Sequence, residues 1–135
     1  MKVRRFLAGC AAGVVALVGG ALLAPAPAQA AISWTLSGTS ADLEGAWVHG
    51  SYWWSGGRLY VTVSVKDTIA NGTSAGAYLF ADYNDGGTRE EWLWNGGGAG
   101  TTKTSTYSFA GNIKYLRAAE CVWGSCSYMN MVRIY

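Results

Sequence analysis

Residues 58–66, RLYVTVSVK, alternate polar and apolar side chains without a break. The apolar members, Leu59, Val61, Val63 and Val65, fall on one face of an extended strand, and the polar members fall on the other. A strand of this kind belongs to an antiparallel sheet with one buried face and one face in water. The pattern excludes a helix here and predicts a half-buried β-strand.

Similar short runs recur along the chain, separated by turns rich in glycine and polar residues. We expect strands at 32–36, 77–83, 88–94 and 102–109, a looser run over 41–54, and two strands within 112–135. No segment keeps a helical spacing of apolar residues, so almost no helix is expected. The sequence predicts an all-β fold: a single antiparallel β-sandwich or small barrel of about seven or eight short strands.

The turn between the runs 77–83 and 88–94 contains Asp85-Gly86, a strong hairpin signal. If these two residues form the centre of the turn, Asp82 faces Arg89 on the neighbouring strand. That register predicts an ion pair across the hairpin.

The first thirty residues have the pattern of a secretory signal peptide. A basic start at residues 1–5 precedes an uncharged apolar run over 6–24, and Ala28-Gln29-Ala30 has the A-x-A form of a cleavage site. We predict that residues 1–30 are removed on secretion and that residues 31–135 form a single β-sandwich domain. An extracellular protein with no membrane segment after cleavage is expected.

Removal of residues 1–30 also changes the charge. Lys2, Arg4 and Arg5 are lost, so seven of the ten basic residues remain against eight acidic ones, and the formal net charge falls from +2 to −1. Binding to nucleic acid requires a positive patch against phosphates, and this balance does not provide one. Nucleic acid is therefore not expected as a partner.

The cysteine count becomes even in the same step. Cys10 is lost, which leaves Cys121 and Cys126, and in a secreted chain two cysteines allow one pairing. A C-x4-C spacing without a second ligand pair does not favour zinc, and the C-x-x-C redox motif is absent. We predict one hairpin disulfide, and no metal or other cofactor is indicated.

Patterns that could indicate an enzyme do not hold together. The segment GTSAG around Ser74 matches the G-x-S-x-G motif, but strands are expected on both sides of it and the chain is too short for that hydrolase fold. His49, Asp67 and Ser74 follow the chymotrypsin order, yet so short a chain cannot build two barrels. Glu90 and Glu91 are adjacent in a strand and point to opposite faces, so they cannot flank one glycosidic bond. A protein without catalytic activity is expected.

Aromatic residues supply the candidate binding sites. Four of them could stack on sugar rings if they are exposed: Tyr52, Trp54, Trp92 and Trp94. They could equally fill the core, because the chain has few other large apolar residues. Exposure is expected more for Tyr52 and Trp54, which approach a turn, and core positions are expected for Trp34 and Trp47.

The C-terminal segment supplies three further candidates. Trp123 lies in the loop that the disulfide would make rigid, and Met129 and Met131 share a strand face with Tyr135. That face is unusually apolar for a surface, so a partner could bind there. Residues 31–135 also lack proline, which commonly blocks edge strands, and an open edge could pair with a strand of another protein.

The overall layout resembles small secreted proteins common in streptomycetes and related actinobacteria. The shared features are an alanine-rich signal, one β-rich domain and a close C-terminal cysteine pair, here Cys121 and Cys126. Some proteins of this type are adaptor subunits of umbrella toxin particles, in which they bridge a stalk protein to a lectin subunit. The resemblance implies an adaptor in an extracellular assembly and transfers no functional residue beyond the two cysteines.

Three functions follow as expectations. The first is a secreted, non-enzymatic module that binds another secreted protein. The second is a carbohydrate- or cell-wall-binding protein that uses the four candidate aromatics on a polysaccharide. The third is an inhibitor of secreted hydrolases that uses the loop over residues 122–125.

Overall fold

The computed structural model describes residues 29–135, so the predicted signal peptide lies outside the described residues except for its last two. The strands are β1 (Ile32–Thr35), β2 (Ala46–Ser55), β3 (Arg58–Asp67), β4 (Ala75–Tyr83), β5 (Thr88–Asn95), β6 (Thr102–Phe109), β7 (Ile113–Val122), β8 (Ser125–Cys126) and β9 (Val132–Arg133). The only helical element of residues 29–135 is a short 3-10 turn, Tyr128–Asn130. The all-β prediction is confirmed.

The strands form two antiparallel sheets packed as a sandwich. The first sheet has the order β1-β2-β3-β6, and the second has the order β5-β4-β7-β8 with β9 also paired to β7. The described strands number nine because the 3-10 turn divides the last one into β8 and β9. The sandwich form of the prediction is confirmed.

The core lies between the sheets and is built from strand residues of alternating phase. Leu59, Val61, Val63 and Val65 of β3 are completely buried, as the alternation over residues 58–66 predicts. The second sheet meets them largely with small residues: Ala75, Ala77, Ala81 and Ala118. Each sheet therefore has one buried face and one outer face, and the outer faces are available for function.

The hairpin between β4 and β5 has a different register from the predicted one. Asp82 is paired with Thr88, and Arg89 is paired with Ala81. The turn is one residue longer than expected, since the Tyr83 N–H bonds to the Gly87 carbonyl and Gly86 adopts a φ of +84°. This is a three-residue loop with a bulged glycine, and the slip by one residue places Asp82 and Arg89 on opposite faces.

The predicted Asp82–Arg89 ion pair is therefore wrong, and each residue has another partner. Asp82 accepts a hydrogen bond from the Arg117 guanidinium at 2.8 Å. Arg89 lies over the ring of Phe109 and donates to Glu91 and to the Ser108 carbonyl. Because Phe109 and Ser108 belong to the first sheet, Arg89 links the two sheets along their β5 and β6 edges.

The C-terminal segment contains the predicted disulfide between Cys121 and Cys126. The two cysteines are cross-strand partners, and the turn between them has positive φ at Trp123 and Gly124, as in a two-residue hairpin loop. The alternation expected beyond the turn is wrong, because the 3-10 turn breaks it. Met131 contacts the outer side of the second sheet, whereas Tyr135 packs on the core.

A buried carboxylate joins the end of β7 to the start of β2, across the two sheets. Glu120 of β7 is completely buried, and its carboxylate accepts the backbone N–H groups of Leu43 and Val48 at 2.6 and 2.9 Å. Burial raises the pKa of Glu120 to about 7, although its two backbone hydrogen bonds act in the opposite direction. The contact fastens the loop before β2 to the second sheet.

Candidate functional site

The outer face of the second sheet is lined by aromatic side chains, and we call it the aromatic face. Its members are Tyr78, Phe80, Trp92, Trp94, Tyr128 and Met131. Cross-strand pairing places Trp92 beside Tyr78 and Trp94 beside Gly76, on the side of the strands away from the core. The prediction that Trp92 and Trp94 share a face follows from their spacing of two, and the structure has both on this face.

The aromatic face carries large apolar side chains in water. Trp92 is 45% exposed and Tyr128 is 47% exposed, while Tyr78 between them is buried. Met129, next to Tyr128, is 96% exposed. Scattered single apolar residues are normal on a protein surface, whereas contiguous exposed apolar groups are typical of interaction sites.

The aromatic rings of this face are fixed in place, but they are not coplanar. Tyr78 is tilted by 44° to Trp92 and by 43° to Phe80, and Tyr128 stands at 81° to Tyr78. Trp94 covers Gly76, at which a Cβ atom would lie only 2.5 Å from the indole ring. The result is a rigid and uneven apolar surface rather than a flat platform.

Polar groups border this apolar surface. The Tyr78 hydroxyl donates to the Glu90 carboxylate at 2.9 Å. Burial, and to a lesser extent this hydrogen bond, raises the pKa of Tyr78 to about 12. Phe80 lies beneath the Arg117 guanidinium, which pairs with Asp82. An apolar centre with paired charges at its rim is the usual anatomy of a protein–protein interface.

The C-terminal candidates lie at or near this face. Met131 packs against the cluster that contains Tyr78 and the disulfide. Trp123 is largely exposed at the tip of the β7–β8 turn and adopts a φ of 57°, a left-handed conformation that is uncommon for a bulky residue. Its indole is thus held in solvent by a strained turn next to the disulfide.

Tyr52 and Trp54 lie elsewhere. Both are half-buried on the inner side of the first sheet, where their rings contact Tyr135 edge-on at 5.5 and 5.7 Å. They therefore do not join Trp92 and Trp94 in one platform. Trp34 contacts the core as expected, but the core position expected for Trp47 is wrong, since this side chain is 39% exposed on the outer side of β2.

Two residues of the catalytic patterns considered above, His49 and Asp67, make contacts within the fold. His49 is stacked on Trp47, and burial lowers the pKa of its imidazole. Asp67, the last residue of β3, is buried and accepts the N–H of Ile69 in the loop that follows. Within residues 29–135 no cluster of metal-binding side chains is present, and no helix is long and apolar enough to cross a membrane.

Comparison with protein-family models, with characterised proteins and with solved structures gives no match for this chain. The assignment of a function therefore depends on the geometry of the surface.

Sequence reasoning missed several members of the aromatic face. Tyr78 and Phe80 alternate with the core residues Ala77 and Leu79, so strict alternation through 77–81 was a usable signal for them. Tyr128 carried no such signal, because a 3-10 turn and not a strand directs it onto Tyr78.

Proposed function

We propose that this protein is a secreted, non-enzymatic interaction module whose aromatic face binds another secreted protein. The observation that carries the proposal is the exposure of Trp92 and Tyr128, whose rings both contact the buried Tyr78, with the exposed Met129 next to Tyr128 in the chain. The signal-peptide pattern and the disulfide support an extracellular location.

The composition of the face favours a protein as the ligand. Tryptophan, tyrosine, methionine and arginine are the residues enriched in the centres of protein interfaces, and they dominate here. The tilts of about 40° and more between neighbouring rings do not favour a flat sugar strand on this face. Because the rings are held by mutual contacts, little side-chain entropy would be lost on binding.

The edge strands β1 and β5 are less suited to docking than the face. β1 has only four residues, and β5 carries Arg89, Glu90 and Glu91 in succession. Short and charged edges are common protection against strand addition. An adaptor role within an extracellular assembly, as the resemblance implies, is the finer form of the proposal, and its partner would then bind the aromatic face.

The proposal is tested by substituting the exposed centre of the face. Tagged residues 31–135 are incubated with culture medium of the producing organism, the retained protein is identified by mass spectrometry, and its affinity is measured with purified components. We expect Trp92→Ala and Tyr128→Ala each to raise Kd at least about tenfold, as for central aromatic residues of other interfaces.

Trp53→Ala is the matched control, because Trp53 is a half-exposed tryptophan on the outer side of the first sheet, stacked on Tyr60. It should bind the partner with unchanged affinity. A partner that is retained equally by Trp92→Ala and Tyr128→Ala, or the absence of any retained protein, would contradict the proposal.

A further inference from the structure

The outer face of the first sheet is unlike the aromatic face, and we call it the hydroxyl face. Its four strands direct these serines and threonines outward: Ser33, Thr35, Ser51, Ser55, Thr62, Ser64, Thr102, Thr104, Thr106 and Ser108. They form rows across the sheet, and one row joins Ser33, Ser51, Thr62 and Thr106. Hydroxyl groups both donate and accept hydrogen bonds, so this surface is matched to a ligand that itself carries many hydroxyls.

Two pairs of parallel rings stand on this face. Trp47 and His49 are stacked with centroids 4.0 Å apart and planes within 4°. Trp53 and Tyr60 are parallel within 13°, with centroids 5.7 Å apart. The two tryptophans lie six residues apart on β2, which corresponds to about 20 Å along the strand.

Trp47 is held in position from two sides. His49 covers one face of its indole, and the indole N–H donates to the Thr35 hydroxyl at 3.2 Å. A groove of about 630 Å³ runs beside it and is lined by residues of β1 and β2, among them Ser33, Trp34 and His49, and by Ser37 in the loop that follows β1. An exposed aromatic ring with fixed orientation beside a groove that is lined by both aromatic and hydroxyl-bearing side chains is a preorganised binding element.

The charge of the hydroxyl face narrows the ligand class. None of the side chains that β1, β2, β3 and β6 direct outward is a carboxylate, and the cations Arg58 and Lys66 stand at the two ends of β3. Arg58 is directed to Ser108. The centre of the face, from Ser51 to Thr104, is uncharged, so it complements a neutral and extended ligand.

We infer that the hydroxyl face binds a neutral linear polysaccharide, with sugar rings against Trp47 and Trp53 and intervening hydroxyls on the serine and threonine rows. A pyranose ring has an apolar C–H face and an equatorial belt of hydroxyls, which are the two chemistries that this surface presents. The site is separate from the aromatic face, because the core lies between the two outer faces.

The test uses residues 31–135 with cellohexaose and chitohexaose in isothermal titration calorimetry, and with hydroxyethylcellulose and glycol chitin in native affinity gels. We expect binding to at least one of these probes. Trp47→Ala and Trp53→Ala should each weaken it at least tenfold, and Thr106→Val, which replaces one exposed hydroxyl by a methyl group, should weaken it about threefold.

Trp92→Ala serves as the control, because it alters only the opposite face and should leave sugar affinity unchanged. Thermal unfolding of each variant establishes that it is folded, and Thr106→Val keeps the test valid if a tryptophan variant is not. Absence of binding to all four probes, binding that survives both tryptophan substitutions, or binding lost only in Trp92→Ala would overturn the inference. These outcomes are independent of the protein-binding test.

Discussion

Gly50 shows at the scale of one residue how closely the first sheet is packed. A Cβ atom at this position would lie 1.9 Å from the Thr62 carbonyl oxygen and 3.1 Å from the Trp34 ring. The oxygen belongs to the backbone of the neighbouring strand, so it cannot rotate away. Only glycine fits at this position without displacement of β3.

We therefore predict that Gly50→Ala lowers the free energy of unfolding by about 3 kcal/mol, the upper part of the usual range for overpacking. Gly96→Ala is the control, because a Cβ atom there would meet only the Ser74 hydroxyl at 3.8 Å, and it should change stability by less than about 0.5 kcal/mol. Urea unfolding followed by tryptophan fluorescence measures both. Equal effects of the two substitutions would contradict the packing argument.

Burial of single residues was predictable where the alternation is strict. Leu59 and Val63 are buried as their phase in β3 requires. The large apolar area of tryptophan predicts a core position for Trp47, but its phase in β2 places it outside. Size alone does not determine burial, and the phase of β2 was hidden by the irregular sequence around Gly45 and Gly50.

The β7–β8 hairpin is the element in which sequence prediction succeeded most directly. The spacing of Cys121 and Cys126 predicts that they close a turn, and they are cross-strand partners. The conformation of the turn was harder to predict, because sequence rules place glycine or asparagine at positions with positive φ and Trp123 occupies one of them.

The predicted register of β4 and β5 is wrong for a related reason. The choice between a two-residue loop and a bulged three-residue loop depends on the conformation of Gly86.

Removal of the disulfide should affect the hairpin more than the sandwich. We predict that the Cys121→Ala/Cys126→Ala double variant folds but is about 2 kcal/mol less stable, since the closed loop is short. Circular dichroism during thermal unfolding measures this loss. A double variant without β-structure at room temperature would show that the hairpin is required for the whole fold.

At the scale of the whole molecule, Glu120 makes the stability of the packed sheets depend on pH. Its pKa is about 7 in the folded protein, whereas an unperturbed glutamate, as in the unfolded chain, has a pKa of 4.5. Between these two values the folded protein binds more protons than the unfolded chain. Stability contributed by this group is therefore fully present below about pH 4.5 and is lost as the pH rises towards 7. The loss amounts to at most about 3 kcal/mol.

The pH dependence is best measured as a difference between variants. We predict that the wild type loses stability relative to Glu120→Gln between pH 5 and about pH 7.5, with urea unfolding at each pH as the measurement. His49 acts with the opposite sign because burial lowers its pKa, and it is common to both proteins. Glu44→Gln, at an exposed position, is the control, and parallel stability curves for wild type and Glu120→Gln would contradict the assignment.

The fold class could be predicted from the sequence, whereas the surfaces could be predicted only in part. Alternation places Trp92 and Trp94 on one face, but it does not say that Tyr128 reaches them from a 3-10 turn. The hydroxyl face needed the order of four strands, because Ser33, Ser51, Thr62 and Thr106 become neighbours only through pairing. Contacts of this kind depend on topology, which local patterns do not contain.

The linkage between the β5 and β6 edges has a consequence for self-association. The Arg89 guanidinium donates a hydrogen bond to the Ser108 carbonyl, and the Tyr107 hydroxyl donates to the Trp92 carbonyl. Side-chain hydrogen bonds therefore cross between the two edge strands. A strand from another copy that added to β5 would desolvate the guanidinium of Arg89 and its carboxylate partner Glu91. Addition of a strand at β5 is therefore disfavoured, and this lowers the tendency of a chain with exposed aromatic rings to grow fibrils from that edge.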